Sequence, residues 1–292
     1  MIPKRVFYVW GANEPKGKAE LMCLYTWHQQ LKDFEIVEIN DNSTEYFNFQ
    51  EELRNNKWFR TVYERKMWAY VADYIRIKTL YDNGGVYFDT DVMAVKDLSV
   101  LLDNPAFVGV QSYDRTEPAI LGAEKSNPFL KQLLDFYNDE IWHSNLYKCP
   151  DIFKHFLGLN YGKQEYDFDN IDDKIRKYEH ITLYPRRYLI PFTPAQIRNE
   201  DINKIFDDTY TIHWYKGSWS KPEIFYFLEN KNTFSLEYLD EKCKQIKNKS
   251  EKGFQYKNIF ERVFSIKDSY CKSKRYKIFT IFGIQIKHSV KL

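Results

Sequence analysis
The chain has 292 residues, 43% of them hydrophobic and 18% aromatic, enough for a sizeable core in one large domain or two modest ones. Four scattered cysteines with no C-x-x-C pair argue against a disulfide framework or zinc ribbon and fit a reducing cytoplasm. From Lys242 onward 14 Lys and Arg face only Glu251, Glu261 and Asp268, a balance of +11 that leaves residues 1–241 at −9 within the overall +2.

The opening "MIPKRVFYVWG" lacks the long apolar core of a signal peptide, so no secretion is expected. Val6–Trp10 reads as a buried strand followed by the loop "GANEPKG". Ala19–Leu31 reads as a helix, and residues 34–40, "FEIVEIN", alternate as a strand does. Strand, helix, strand in succession predicts a parallel sheet with helices on its faces. Residues 41–60 read as a loop and short helix. One long helix is predicted over Tyr63–Asp82, where Met67, Tyr70, Val71, Tyr74, Ile77 and Tyr81 form an apolar stripe. Asn83-Gly84-Gly85 should end it, glycine being at ease in the left-handed conformation of a helix C-terminus.

A strand follows over Val86–Asp89, inside "GGVYFDTDV". Residues two apart on an extended strand share a side, so Asp89 and Asp91 should converge while Val86 and Phe88 face the core. Converging carboxylates repel unless a cation sits between them. Oxygen ligands without a cysteine cluster favour Mg²⁺ or Mn²⁺, and the carboxyl end of a strand is where open α/β sheets bind ligands. The plain alternative is a solvated turn.

Further strands are expected at 106–112 and 118–124, and an amphipathic helix at Asn127–Tyr137. Residues 158–180 are ambiguous, and 181–192 and 209–220 read as strand-and-loop segments. A break near 235–242 is expected to divide the chain into a main domain, 1–238, which carries the paired aspartates, and a basic, aromatic, helical extension, 239–292. No apolar run reaches the roughly 18 residues of a membrane span. Residues 252–286 interleave Lys and Arg with Phe, Tyr and Ile, which suits peripheral contact with acidic lipid headgroups. No nucleic-acid recognition motif accompanies that charge.

"ADYIRIKTLYDNGGVYFDTDV" resembles the donor-binding core of glycosyltransferase family 32, enzymes of GT-A fold that include capsular-polysaccharide and mannosyltransferase-like members. It is also similar to the core of the large glucosylating bacterial toxins. "IPKRVFYVWG", "TWHQQL", "ILGAEKSNPFLKQLLDFY" and "TIHWYKGSWS" extend the likeness, in order, over most of residues 1–225. Ala72 stands where that family usually has serine, and "GANEPKG" departs from its commoner double-glycine loop.

The resemblance implies a GT-A-type, Rossmann-like α/β domain with a mostly parallel sheet. Its activity would be a retaining, metal-dependent transfer of a hexose from a nucleotide sugar, with UDP-galactose or another UDP-hexose as lead donor. The implied acceptor is a growing surface or capsular polysaccharide, carried on a lipid at the inner face of the plasma membrane. Alternatives are a toxin-like enzyme that glycosylates protein and a non-catalytic nucleotide-sugar-binding module. Lys-, Asn- and Tyr-rich composition fits an AT-rich bacterial genome.

By the same resemblance, Asp89 and Asp91 hold Mn²⁺ or Mg²⁺ against the donor diphosphate, and Asp89 also contacts ribose and sugar. Asp73 and Arg76 face the donor sugar; their plain alternative is a surface ion pair of little worth. Tyr87, on the aspartates' side of the strand, could bond the diphosphate. Trp10, otherwise a core residue, could stack on a uracil-type base. Either His213 or Ser218 completes the metal shell, and Trp219 caps the diphosphate. Lys216 and Lys221 are phosphate candidates, and Gln111, Asp114 and Glu124 are candidates for the acceptor side.

Overall fold
The computed structural model describes residues 1–112, 115–162, 174–199, 205–217, 221–271, 274–281 and 284–290, with side chains up to residue 250. Two compact units are present, Met1–Trp219 and Ser220–Leu292. The division falls before Pro222–Asn230, whereas the sequence suggested a break at 238/239.

The first unit is built on seven strands in the order β2-β1-β3-β6-β5-β8-β7. They are β1 (Arg5–Val9), β2 (Glu35–Ile39), β3 (Gly85–Phe88), β5 (Ala106–Ser112), β6 (Arg115–Ala123), β7 (Arg176–Lys177) and β8 (Thr182–Tyr184). β2, β1 and β3 are mutually parallel, β6 opposes β3, β5 opposes β6, β8 runs with β5, and β7 opposes β8. Five strands therefore share one direction, and the fold is α/β with a mostly parallel central sheet, as expected. A separate antiparallel pair joins β4 (Val92–Ala94) to β9 (Thr211–His213).

Helices cover both faces. Val6, Tyr8, Val86 and Phe88 pack into one core with Cys23 and Trp27 of α1 (Lys18–Gln30). The intervening Phe7 and Tyr87 point the other way, where Arg76 of α4 (Trp68–Asn83) lies over the Tyr87 ring at 4.6 Å. Period-two alternation along β1 and β3 thus sorts the chain between two layers. The remaining helices of this unit are α2 (Phe49–Asn55), α3 (Lys57–Glu64), α5 (Pro128–Asn138), α6 (Cys149–Tyr161), α7 (Arg186–Leu189) and α8 (Pro194–Arg198).

The single helix expected over Tyr63–Asp82 is two. α3 stops at Glu64, Lys66 takes a φ of 56°, and α4 restarts at Trp68. The apolar stripe alone does not reveal the break, because Phe59 and Val62 of α3 and Tyr70, Val71 and Tyr74 of α4 are all buried. At the other end the expectation holds. Gly84 caps α4 with φ 67°, and a Cβ there would lie 2.8 Å from the Lys125 nitrogen and 2.9 Å from Pro3 Cδ.

The second unit carries α9 (Pro222–Asn230), α10 (Leu236–Val263) and an antiparallel sheet of β10 (Phe264–Cys271), β11 (Lys274–Ile281) and β12 (Ile284–Val290). The extension was expected to be helical. It is so only to Val263; strands follow, and within them short runs such as Phe264–Lys267 and Ile284–Lys287 alternate apolar and polar residues as strands do. No helix among the described residues is long and apolar enough to cross a membrane.

Candidate functional site
β3 ends at Phe88, and the chain turns immediately. The Asp89 amide donates to the Ala119 carbonyl on β6 (2.9 Å), and the Val92 amide returns to the Asp89 carbonyl (3.0 Å). Asp91 sits at the tip of this turn, and β4 leads away from it. Because Val92 pairs with His213 across β4 and β9, the imidazole arrives beside Asp91. Ligand atoms of Asp89, Asp91 and His213 all lie within 4.8 Å of one another, and this is the one such grouping among the described residues.

The two aspartates are held from opposite layers. Arg76 on α4 donates to Asp89 Oδ1 at 2.8 Å and lies 3.3 Å from Asp73 Oδ1, one helical turn back. Asp73, Arg76 and Asp89 thus form one linked set rather than a surface pair, with Arg76 only 5% exposed. Asp91 is gripped from the β9 side. His213 Nε2 approaches its Oδ1 at 3.3 Å, the Lys216 amide donates to its Oδ2 at 2.8 Å, and the Trp214 amide donates to its carbonyl at 3.0 Å.

Charge state follows these surroundings. Burial raises the pKa of Asp89, and the adjacent Asp91 charge adds to this against the pull of Arg76. Burial would raise Asp91 too, but the hydrogen bond and charge of His213 and the Lys216 amide prevail and lower it. Burial carries Asp73 up to about 7 despite Arg76. For His213 burial acts downward, yet the bond to Asp91 and the charges of Glu117, Asp91 and Asp89 lift it to about 8.

These residues suit a divalent cation. Two carboxylates that disfavour each other's ionisation gain from a positive charge between them. The buried His213 Nδ1 has no hydrogen-bond partner. Two oxygen donors and one imidazole nitrogen would leave coordination positions open, as hard cations that bind phosphate require.

Most of the other expected site residues lie nearby. Tyr87 is buried beneath Arg76, next in the chain but one to Asp89. Trp10 is half-buried against the α1-side core, its indole donating to the Glu14 carbonyl at 2.7 Å. Gln111 Nε2 lies 3.4 Å from the Tyr215 hydroxyl, and Tyr215 in turn packs on His213 with ring centroids 4.1 Å apart. Glu124 is elsewhere, 3.6 Å from the amino terminus. Ser218, Trp219 and Asp114 lie outside the described residues.

Glu117 escaped the sequence reading. It stands on β6 two residues before Ala119, and it is a charge neighbour of His213, Asp89 and Arg76, with burial raising its pKa. Glu20 and Lys216, which form an ion pair at the same site, were not read as a pair either.

Comparison with known proteins fits this geometry. Residues 17–108, from the start of α1 into β5, match the family model described as "Glycosyltransferase sugar-binding region containing DXD motif". The inositol phosphoceramide mannosyltransferase 3 of Schizosaccharomyces pombe is 31% identical over 137 residues, 46% of this chain and 36% of that protein. The human lactosylceramide 4-alpha-galactosyltransferase is 26% identical over 177 residues, 55% of this chain and 46% of that one. The chain therefore spans half or less of the length of these curated relatives. A solved structure titled "PaToxG Glycosyltransferase" overlays with a TM-score of 0.45 at 16% identity, covering 55% of this chain and 70% of that one, too loosely to bear on function.

Proposed function
We propose that the chain is a retaining glycosyltransferase that moves a hexose from a nucleotide sugar, with a UDP-hexose such as UDP-galactose as lead donor, to a glycan acceptor carried on a lipid. The convergence of Asp89, Asp91 and His213 within 4.8 Å, inside a chain that matches a DXD sugar-binding region, carries this reading. Lipid acceptors are named for both curated relatives, a phosphoceramide in one and a lactosylceramide in the other, which supports an acceptor of that kind. The basic stretch 252–286 supports a peripheral role at an acidic membrane face, where a growing surface polysaccharide is assembled.

Asp89, Asp91 and His213 are the residues that would hold Mn²⁺ or Mg²⁺; Ser218 remains the other candidate for the third position. When bound, such an ion supplies Lewis-acid stabilisation of the departing diphosphate. Asp73 accepts from hydroxyls of the donor sugar, and Arg76 fixes Asp73 and Asp89 in register for the same sugar. Trp10 offers a ring face to the base, and Trp219 covers the diphosphate. The acceptor hydroxyl attacks from the face the leaving group departs, and the leaving phosphate takes its proton. The catalytic gain is then positioning and charge stabilisation.

The test is a panel of nucleotide sugars screened by thermal shift with and without Mn²⁺, followed by hydrolysis and transfer assays on whichever donor stabilises the chain. Stabilisation by one UDP-hexose and metal-dependent turnover are expected. A donor bound but never turned over would reduce the chain to a binding module.

A further inference from the structure
Glu20 is a buried carboxylate with no role in the chemistry above. It lies in the first turn of α1, 3% exposed, with Oε1 paired to Lys216 Nζ and Oε2 without a hydrogen-bond partner. Burial acts against its charge, yet the bond to Lys216 and the backbone at Glu20 and Gly17 outweigh it and lower its pKa, so the carboxylate is held as an anion facing Lys216. Lys216 is the residue whose backbone amide holds Asp91 Oδ2 at 2.8 Å. Its neighbours Tyr215 and Gly217 both take left-handed conformations, with φ 50° and 62°. The backbone therefore bends sharply on each side of the amide that meets Asp91, and tyrosine adopts such a conformation only where its surroundings impose it.

α1 supports the same corner twice more. The Trp27 indole donates to the Val92 carbonyl at 2.7 Å, and the Ala94 amide donates to Thr26 Oγ1 at 3.0 Å. These bonds fix β4, which leaves Asp91, while the Glu20–Lys216 pair fixes the segment that returns to Asp91 after β9. We infer that Glu20 is a positioning residue for the cation site: by anchoring the Lys216 side chain to α1, it holds the Lys216 amide on Asp91 Oδ2 and so leaves Oδ1, beside His213, aimed at the ion. The inference rests on the reading of Asp89, Asp91 and His213 as a cation site.

Gly17 offers an independent handle. A Cβ there would lie 2.6 Å from Glu20 Oε2 and 3.9 Å from Lys216 Nζ, so Gly17→Ala must push the Glu20 carboxylate off its present position.

The test is Mn²⁺ binding to the full chain, read by the EPR signal of free Mn²⁺, without donor or acceptor. Mutation of residues that orient a metal ligand commonly weakens metal affinity by 10- to 100-fold, so a loss of about tenfold is expected for Glu20→Gln, Lys216→Met and Gly17→Ala alike. The double variant Glu20→Gln/Lys216→Met should lose no more than either single one, because both cut the same link. Leu133→Ala, a core truncation on α5, should lower the Tm yet bind Mn²⁺ as the parent does, which separates positioning from general weakening. Should Glu20→Gln not fold, Lys216→Met still decides, since that side chain is 55% exposed. Parental affinity in Lys216→Met and Gly17→Ala, or additive losses in the double variant, overturns the inference while leaving the cation site intact. A parent chain that binds no Mn²⁺ overturns both.

Discussion

Asp89 and Asp91 are two residues apart in the first unit, yet different elements hold them. Asp89 is tied to α4 through a buried arginine and a second carboxylate, in surroundings that raise its pKa. Asp91 is tied to β9 and, through Lys216, to α1; its neighbours are an imidazole and backbone amides, and its pKa falls. The difference teaches that one short motif can hold two jobs. Asp91's surroundings favour its charged form, which suits the direct cation ligand proposed for it. The Asp89 half shares its charge with Arg76 and Asp73, as a group that also orients a polar substrate needs.

Removing Asp91 breaks the comparison most severely. Asp91→Ala should abolish Mn²⁺ binding and cut metal-dependent transfer by about a thousandfold, because several kcal/mol of transition-state stabilisation go with the ion, while the far-UV CD spectrum persists. Normal donor turnover in that variant would mean the cation site has been misplaced.

Arg76→Met strikes the other half and should act first on stability. It strands Asp73 and Asp89 without their shared cation, and loss of one partner of a buried ion pair costs about 3–5 kcal/mol, measurable by urea unfolding. Arg76→Lys should rescue only part of this, since one ammonium cannot match the guanidinium that reaches both carboxylates.

A smaller effect sharpens the Asp91 side. His213 rises from 6.5 to about 8 on folding, so its protonation favours the folded state. That contribution is complete below pH 6.5 and disappears as pH climbs through 8; the shift corresponds to about 2 kcal/mol. Metal-free protein should therefore lose about that much stability between pH 6 and pH 9 relative to His213→Gln. Mn²⁺ affinity should rise over the same interval as the competing proton leaves.

The mildest probe is Glu117→Gln. It deletes one of the charges that lift His213, so the midpoint of the pH dependence of Mn²⁺ binding should move to lower pH with little change in the Tm. An unmoved midpoint would place Glu117 outside the electrostatic reach of the site.

Much of this was legible in the sequence. Alternation in "VFYVW" and "GGVYF" sorts β1 and β3 between two layers, and the glycines after Asn83 mark the end of α4 as the backbone has it. Asp89 and Asp91 converge as expected, but through the turn that closes between Asp89 and Val92 after β3 rather than by the period of an extended strand. What stayed hidden depends on distance along the chain. Glu20 and Lys216 are 196 residues apart, and although Lys216 lies in "TIHWYKGSWS", nothing in that stretch points to Glu20. Glu117 lies in "RTEPAILGA", where pairing with β5 slips between Val108 and Gly109, so period-two reasoning cannot assign its side. The stop at Glu64 was masked because both helices bury an apolar stripe.

The pairing of β4 with β9 also sets an order of events during synthesis. The aspartates leave the ribosome more than a hundred residues before Thr211–His213, and until that strand docks, Asp91 has neither its imidazole nor the amides that hold it. A nascent or truncated chain ending short of residue 211 would carry the paired aspartates without the imidazole and amides around Asp91, so on the proposed reading the cation site forms only once the first unit is nearly whole.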